Sequence, residues 1–169
     1  MLIRRLIEKI SLALNAKRYW KKKGLVFGDG CEIYSSASFG SEPYLVQLGK
    51  HVRINSGVQF ITHDGGVWVL RQDSQYSSAD LFGKIYISDN VHIGSNAIIM
   101  PNVHIGKNCI IGCGAIVTHD IPDNSIAVGV PARVIETIDD YKEKHINDFV
   151  FTKQMSKKNK KEYLLAKYK

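Results

Sequence analysis

The chain has 169 residues, 44% hydrophobic and 23% charged, which fits one folded domain rather than a disordered polymer. No apolar run approaches the roughly 18 residues that span a bilayer; Glu8 and Lys9 interrupt the apolar start, which has no small-residue cleavage site; Cys31, Cys109 and Cys113 cannot all pair and lack CxxC zinc spacing. Membrane-spanning, secreted and disulfide-rich classes are thereby excluded, and a reducing cytoplasm is the expected home. The formal net charge of +7 divides into +7 over residues 1–24, −6 over 25–140 and +6 over 141–169, so the basic charge flanks an acidic centre. A nucleic-acid binder would carry its basic stripe on the folded body with stacking aromatics among it.

Residues 1–24 place Leu2, Ile3, Leu6, Ile7, Ile10 and Leu14 at helical spacing, with Arg4, Arg5, Glu8 and Lys9 between them. The spacing predicts a short basic amphipathic helix. It can serve as a cap for the folded body, or lie against an anionic membrane through residues 1–23, with Tyr19 and Trp20 as interfacial aromatics. From Phe27 the chain then cuts into sixes: FGDGCE, IYSSAS, FGSEPY, and from Leu48 LGKHVR, INSGVQ, FITHDG. The two runs are out of phase by three residues, which predicts a small bulge or loop near Tyr44–Gln47. Residues 64–82 break the pattern with turn formers, charges and one apolar knot, Val67-Trp68-Val69-Leu70, and read as an ejected loop.

The frame is clearest from Ile87: ISDNVH, IGSNAI, IMPNVH, IGKNCI, IGCGAI, VTHDIP. The first position is always aliphatic and the fifth is mostly small and apolar. The fourth is Asn90, Asn96, Asn102, Asn108, Gly114 and Asp120, residue types that accept the left-handed backbone of a tight turn. A helix would repeat at 3.6 and a plain strand at two. A period of six with a turn in register predicts short parallel strands coiling as a solenoid over residues 25–137. Residues 138–169 are expected to form a second helical cap with a mobile basic tail.

IGSNAIIMPNVHIGKNCIIGCGAIVTHDIPDNSIAVGVPARVI resembles the signature of the hexapeptide-repeat acyltransferases, and FGSEPYLVQLGKHVRINSGVQFITHDGGVWVLR resembles their capsule and lipopolysaccharide branch, related to the galactoside and maltose acetyltransferases. The resemblance implies an all-β solenoid, a left-handed parallel β-helix of about five coils, assembled as a homotrimer with active sites between subunits. It implies acetyl-CoA as co-substrate and no metal.

Residue by residue, the resemblance makes His63 the general base at the solenoid's break, where an imidazole titrating near operating pH suits the work. Asp64 either orients that imidazole or, followed by Gly65-Gly66, forms a turn. Ser95, Cys113, Thr118, His119 and Arg133 are carried over as cofactor-binding residues; relatives usually have Lys at the position of His119. Asn55 either lines the cleft as an acceptor contact or is a structural residue of the repeat, and Trp68 is the other candidate for acceptor contact. The other histidines read as ordinary turn, surface or cap residues. Cys109 occupies an inward position as a small core residue, so direct attack by the acceptor, without an acyl-enzyme, is the expected mechanism. The resemblance therefore implies acetyl transfer to a sugar hydroxyl in surface-polysaccharide synthesis. Two rivals are an amino sugar, antibiotic or amino-acid acceptor, and a non-catalytic β-helical interaction module.

Overall fold

Every sixth side chain from Ile87 to Val117 is no more than 3% exposed, so the aliphatic column of the repeat is the core of the molecule. The computed structural model describes residues 2–169, and the side chains of residues 2–6 and 9 are outside that description. Two units divide the chain, residues 1–139 and 140–169.

The first unit opens with α1 (Leu2–Leu14) and α2 (Ala16–Lys22). Short strands follow: β1 (Val26–Phe27), β2 (Glu32–Ile33), β3 (Val46–Leu48), β4 (Arg53–Ile54), β5 (Gln59–Phe60) and β6 (Ile85–Ile87). Then come β7 (Val91–Ile93), β8 (Ile98–Ile99), β9 (His104–Ile105), β10 (Cys109–Ile111), β11 (Ile116–Val117), β12 (Ser125–Val128) and β13 (Arg133–Thr137). They form three sheets, ordered β1-β3-β6-β9, β2-β4-β7-β10-β12-β13 and β5-β8-β11. All pairings but the last are parallel, and the chain visits the three sheets in rotation, as a solenoid must.

The register follows the six-residue period. Tyr86 pairs with His104, Val91 with Cys109 and Ile98 with Ile116, so one coil is three hexads. The first coil is three residues longer, pairing Val26 with Gln47 and Glu32 with Arg53, and the second holds the ejected loop, pairing Val46 with Ile85. A 3-10 turn over Pro43–Leu45 absorbs the excess at the expected phase slip. Turns close each hexad because Asn90, Asn96, Asn102 and Asn108 adopt φ between 55° and 62°, a left-handed conformation that asparagine tolerates better than most residues. Between the repeats, Phe39 stacks on Phe60 with ring centroids 4.6 Å apart, continuing the core column toward the N-terminal end.

Three features depart from expectation. The N-terminal segment is two helices, not one: the Asn15 side chain accepts a hydrogen bond from the Arg18 N–H and restarts the helix. Trp20, for which the sequence left a cap and a membrane interface open, is 7% exposed and packs edge-on against Phe39 at 5.0 Å, as a cap residue does. The part of the amphipathic stripe formed by Leu2, Ile3 and Leu6 lies outside the described side chains, whereas Ile7, Ile10 and Leu14 are exposed. At the other end, β13 reverses and pairs antiparallel with β12 through Gly129, whose φ is 97°. That strand covers an edge a further parallel coil would otherwise protect.

The second unit carries most of α3 (Ile138–His145) and α4 (Lys157–Lys167). The stretch expected as a basic tail is thus helical, and Ser156 caps it by accepting from the Asn159 N–H at 3.2 Å. Among the described residues, no helix is long and apolar enough to cross a membrane.

Candidate active site

His63 stands where β5's coil turns into the ejected loop. The loop's neck is closed by an antiparallel bridge between His63 and Phe82 and by backbone hydrogen bonds from Asp64 N–H to Leu81 and from Gly83 N–H to Thr62. Beyond the neck the chain forms 3-10 helices over Gly65–Gln72 and Ser74–Tyr76, and Arg71 pairs with Asp80 across it. A cavity of about 420 Å³ opens beside the neck, lined among others by Ser41, Glu42, His63, Asp64, Trp68 and Arg71.

His63 is half exposed, and its Nδ1 lies 3.6 Å from Oε2 of Glu42, whose side chain is only 18% exposed. The same Glu42 oxygen accepts hydrogen bonds from Ser41 Oγ at 2.6 Å and from the fully buried Thr62 at 3.4 Å. An anchored carboxylate therefore faces one imidazole nitrogen and leaves the other for the cavity. Sequence reasoning missed Glu42. Of the two readings open for Asp64, the structure shows the turn former: Oδ1 accepts the Gly66 N–H at 2.8 Å and caps the 3-10 helix. The carboxylate at the imidazole is Glu42.

The two acceptor candidates separate. Trp68 lines the cavity, with 67% of its surface exposed. Asn55 is held within the coil, its Nδ2 donating to the Ile93 carbonyl at 2.8 Å and lying 3.2 Å from His92 Nε2. Within this chain it does not line the His63 cavity, because the second sheet's hydrogen bonding claims its amide. Beside it, burial and then the neighbouring Arg53 push the His92 pKa below its usual value.

The five cofactor candidates fall on two ridges and one strand. Ser95 and Cys113 occupy the same position of successive coils, tied by Gly114 N–H to the Ser95 carbonyl at 2.8 Å. Gly94 makes this stacking possible: a Cβ there would lie 2.6 Å from the Cys113 nitrogen. The exposed Cys113 between Gly112 and Gly114 leaves the ridge bare enough for a long thin ligand to lie against backbone. Thr118 and His119 follow β11, beyond the C-terminal ends of the third sheet's strands, as His63 follows β5, and bond to each other through Oγ1 and Nδ1 at 2.9 Å. Arg133, at the start of β13, donates to the Ala132 carbonyl at 2.8 Å. The structure thus brings Ser95 to Cys113 and Thr118 to His119, but one chain does not gather all five around His63.

Comparison with known proteins agrees with this architecture. The family model "bacterial transferase hexapeptide (six repeats)" matches residues 84–119. Protein CapG of Staphylococcus aureus is 47% identical over 151 residues, covering 88% of this chain and 87% of its own length. Galactoside O-acetyltransferase of Escherichia coli is 35% identical over 134 residues, 75% of this chain, which spans 64% of that enzyme. Among solved structures, a galactoside acetyltransferase in complex with coenzyme A superimposes with TM-score 0.61 at 25% identity, over 83% of this chain and 82% of that one. A hexapeptide-repeat-containing acetyltransferase of Vibrio cholerae gives TM-score 0.61 at 19% identity, over 80% and 89%, a likeness of fold.

Proposed function

Because this chain belongs to the hexapeptide-repeat acetyltransferase family, we propose that it transfers the acetyl group of acetyl-CoA to a saccharide hydroxyl in surface-polysaccharide synthesis. The likeness to CapG and to galactoside O-acetyltransferases supports this acceptor class, and the coenzyme A complex of a structural relative supports the donor. The observation that carries the reading is the pairing of a half-exposed His63 with the anchored carboxylate of Glu42 at the mouth of a cavity.

The thioester supplies an activated acetyl group with a good leaving sulfur. His63 does the proton work. With Nδ1 toward Glu42, Nε2 accepts the acceptor hydroxyl's proton as its oxygen bonds to the acetyl carbon. The same nitrogen returns that proton to the departing sulfur, so the protein ends unchanged. Glu42 offsets the imidazolium charge between the two transfers. The bare Ser95–Cys113 ridge suits the pantetheine arm; Thr118, His119 and Arg133 supply polar and cationic groups for the nucleotide end. Trp68 offers an aromatic face for a sugar ring at the cavity's rim.

In the assembly we propose, a left-handed β-helix of about five coils, with helical caps, forms a homotrimer whose active sites lie between subunits. Two observations support the shared site: the cofactor candidates are spread over two sheets, Arg133 on β13 and the other four beside β8 and β11, and Trp68, Val69 and Leu70 are all more than half exposed in the single chain. Cyclic symmetry would close such contacts. Cytoplasmic residence fits the donor, and three free cysteines fit a reducing compartment.

The test is coenzyme A release from acetyl-CoA over a panel of sugars and nucleotide sugars, with mass spectrometry of the product. A gain of one acetyl group on a hydroxyl is the expected result. Donor turnover with none of the saccharides, together with a single-chain mass by light scattering, would overturn both acceptor class and shared site.

A further inference from the structure

The N-terminal 24 residues carry a charge of +7, eight Lys and Arg against one Glu. Sequence alone leaves two uses for their apolar stripe, covering the solenoid or meeting a membrane. The structure divides these uses between the two helices. α2 does the covering: Ala16 and Trp20 are buried, and Trp20 lies on Phe39. α1 meets the body through a different face. Leu12 packs against the core cluster, whereas Ile7, Ile10 and Leu14 are 61%, 49% and 81% exposed. At about 100° per residue, Ile7, Ile10 and Leu14 share one face, and Leu12 points to the far side.

What covers that face is indicated by its charge. Lys17, Arg18, Lys21 and Lys22 are exposed in the adjoining helix, and the sequence adds Arg4, Arg5 and Lys9. Lys23 is partly engaged by Glu8 at 3.3 Å. An exposed apolar face within a segment of net charge +7 complements a surface that is apolar just beneath a layer of negative charge. An anionic bilayer is such a surface. A soluble polyanion would satisfy the cations and leave the isoleucines in water. The −6 of residues 25–140 disfavours approach by the solenoid body itself, so contact is confined to the basic end.

We propose that α1 is a peripheral membrane anchor: it lies in the headgroup plane of an anionic bilayer with Ile7, Ile10 and Leu14 inserted and the basic residues of α1 and α2 against lipid phosphates. The proposal stands independently of the acetyl-transfer reading.

The experiment is flotation of the full-length protein with vesicles of phosphatidylcholine alone or mixed with phosphatidylglycerol, at low and high salt. Three proteins are compared: wild type, Ile7→Ser/Ile10→Ser/Leu14→Ser, and Lys17→Gln/Lys21→Gln. All substituted side chains are exposed, so circular dichroism and light scattering should be unchanged. Wild type should float only with the anionic vesicles and release at high salt. The triple serine variant should stay at the bottom, and each lysine removed should weaken binding roughly fivefold. Equal flotation of the triple variant, or binding to neutral vesicles alone, would overturn the proposal. So would a lower oligomeric mass in the triple variant, because the face would then belong to a second copy.

Discussion

Glu42 lies one coil below His63, with its Oε2 3.6 Å from the imidazole Nδ1. The separation is short enough for a carboxylate to hold an imidazolium and just beyond a direct hydrogen bond. Glu42 is itself restrained by Ser41 and Thr62, so the charge is fixed in place before substrate arrives, the condition under which it contributes most.

His63→Ala should therefore lower turnover roughly 100- to 10,000-fold, the usual contribution of a positioned general base, with acetyl-CoA affinity little changed. Glu42→Gln keeps the shape and removes the charge. It should lower kcat about tenfold or more with KM nearly constant, because the charge is needed only while the imidazole is protonated. Glu42→Asp should recover part of that loss. Steady-state kinetics on the three variants reads the result, and equal kcat for Gln and wild type would leave Glu42 without a role in turnover.

The Glu42–His63 relationship was present in the hexad frame. FGSEPY and FITHDG align position by position, and Phe39 stacks on Phe60 as first positions should. The fourth positions are then Glu42 and His63. The three-residue slip between the runs obscures this, because a fixed coil length puts neither residue beneath the other. Where the period is regular, from Ile87 to Val117, the core column and the left-handed asparagines were all legible, since each residue answers to one local constraint. The split at Asn15, the helix over Lys157–Lys167 and the reversal into β13 were not. A cap, a basic helix and an edge strand carry no repeat to betray them, and propensity alone is a weak guide.

The cofactor ridge makes a separate claim about backbone. Gly94→Ala would push a methyl to 2.6 Å from the Cys113 nitrogen, against backbone that the coil stacking holds. A destabilisation of about 1–3 kcal/mol is expected, the range for overpacking. Gly114→Ala meets open space, yet its φ is 69°, so its cost is the smaller one of a left-handed alanine, about 1 kcal/mol. Urea denaturation of the two variants should rank them in that order. The reverse ranking would mean that the coils can separate at Gly94.

Nucleotide binding is expected to rest on charge at the solenoid's end. Arg133→Ala should weaken acetyl-CoA binding while leaving kcat at saturation almost intact, because the nucleotide is remote from the reacting carbonyl. His119→Lys places a permanent ammonium at this position and should tighten binding. Calorimetry with acetyl-CoA measures both. No change in either variant would move the nucleotide to another part of the surface.

His92 offers a pH test that is independent of catalysis. Burial first, and the positive charge of Arg53 second, hold its pKa below the usual 6.5. Arg53 pairs with His92 across β4 and β7 and is itself bridged to Glu32 at 2.9 Å, so its charge is fixed beside the ring. The neutral imidazole is the form the fold accepts, lying 3.2 Å from the Asn55 amide nitrogen, which can donate to it. In the unfolded chain the ring takes up its proton at the higher, ordinary pKa. This group therefore costs no stability above about pH 6.5, and the cost grows as pH falls from there to the folded pKa, below which it is constant. His92→Gln, which cannot charge, should flatten that part of the stability profile measured by urea denaturation. In the folded protein, NMR titration of the His92 ring should give a midpoint below the usual range, and Arg53→Met should raise it only part of the way, since burial is the larger cause. A full return in Arg53→Met would make charge the dominant cause, and a wild-type midpoint above the usual value would remove the burial argument altogether.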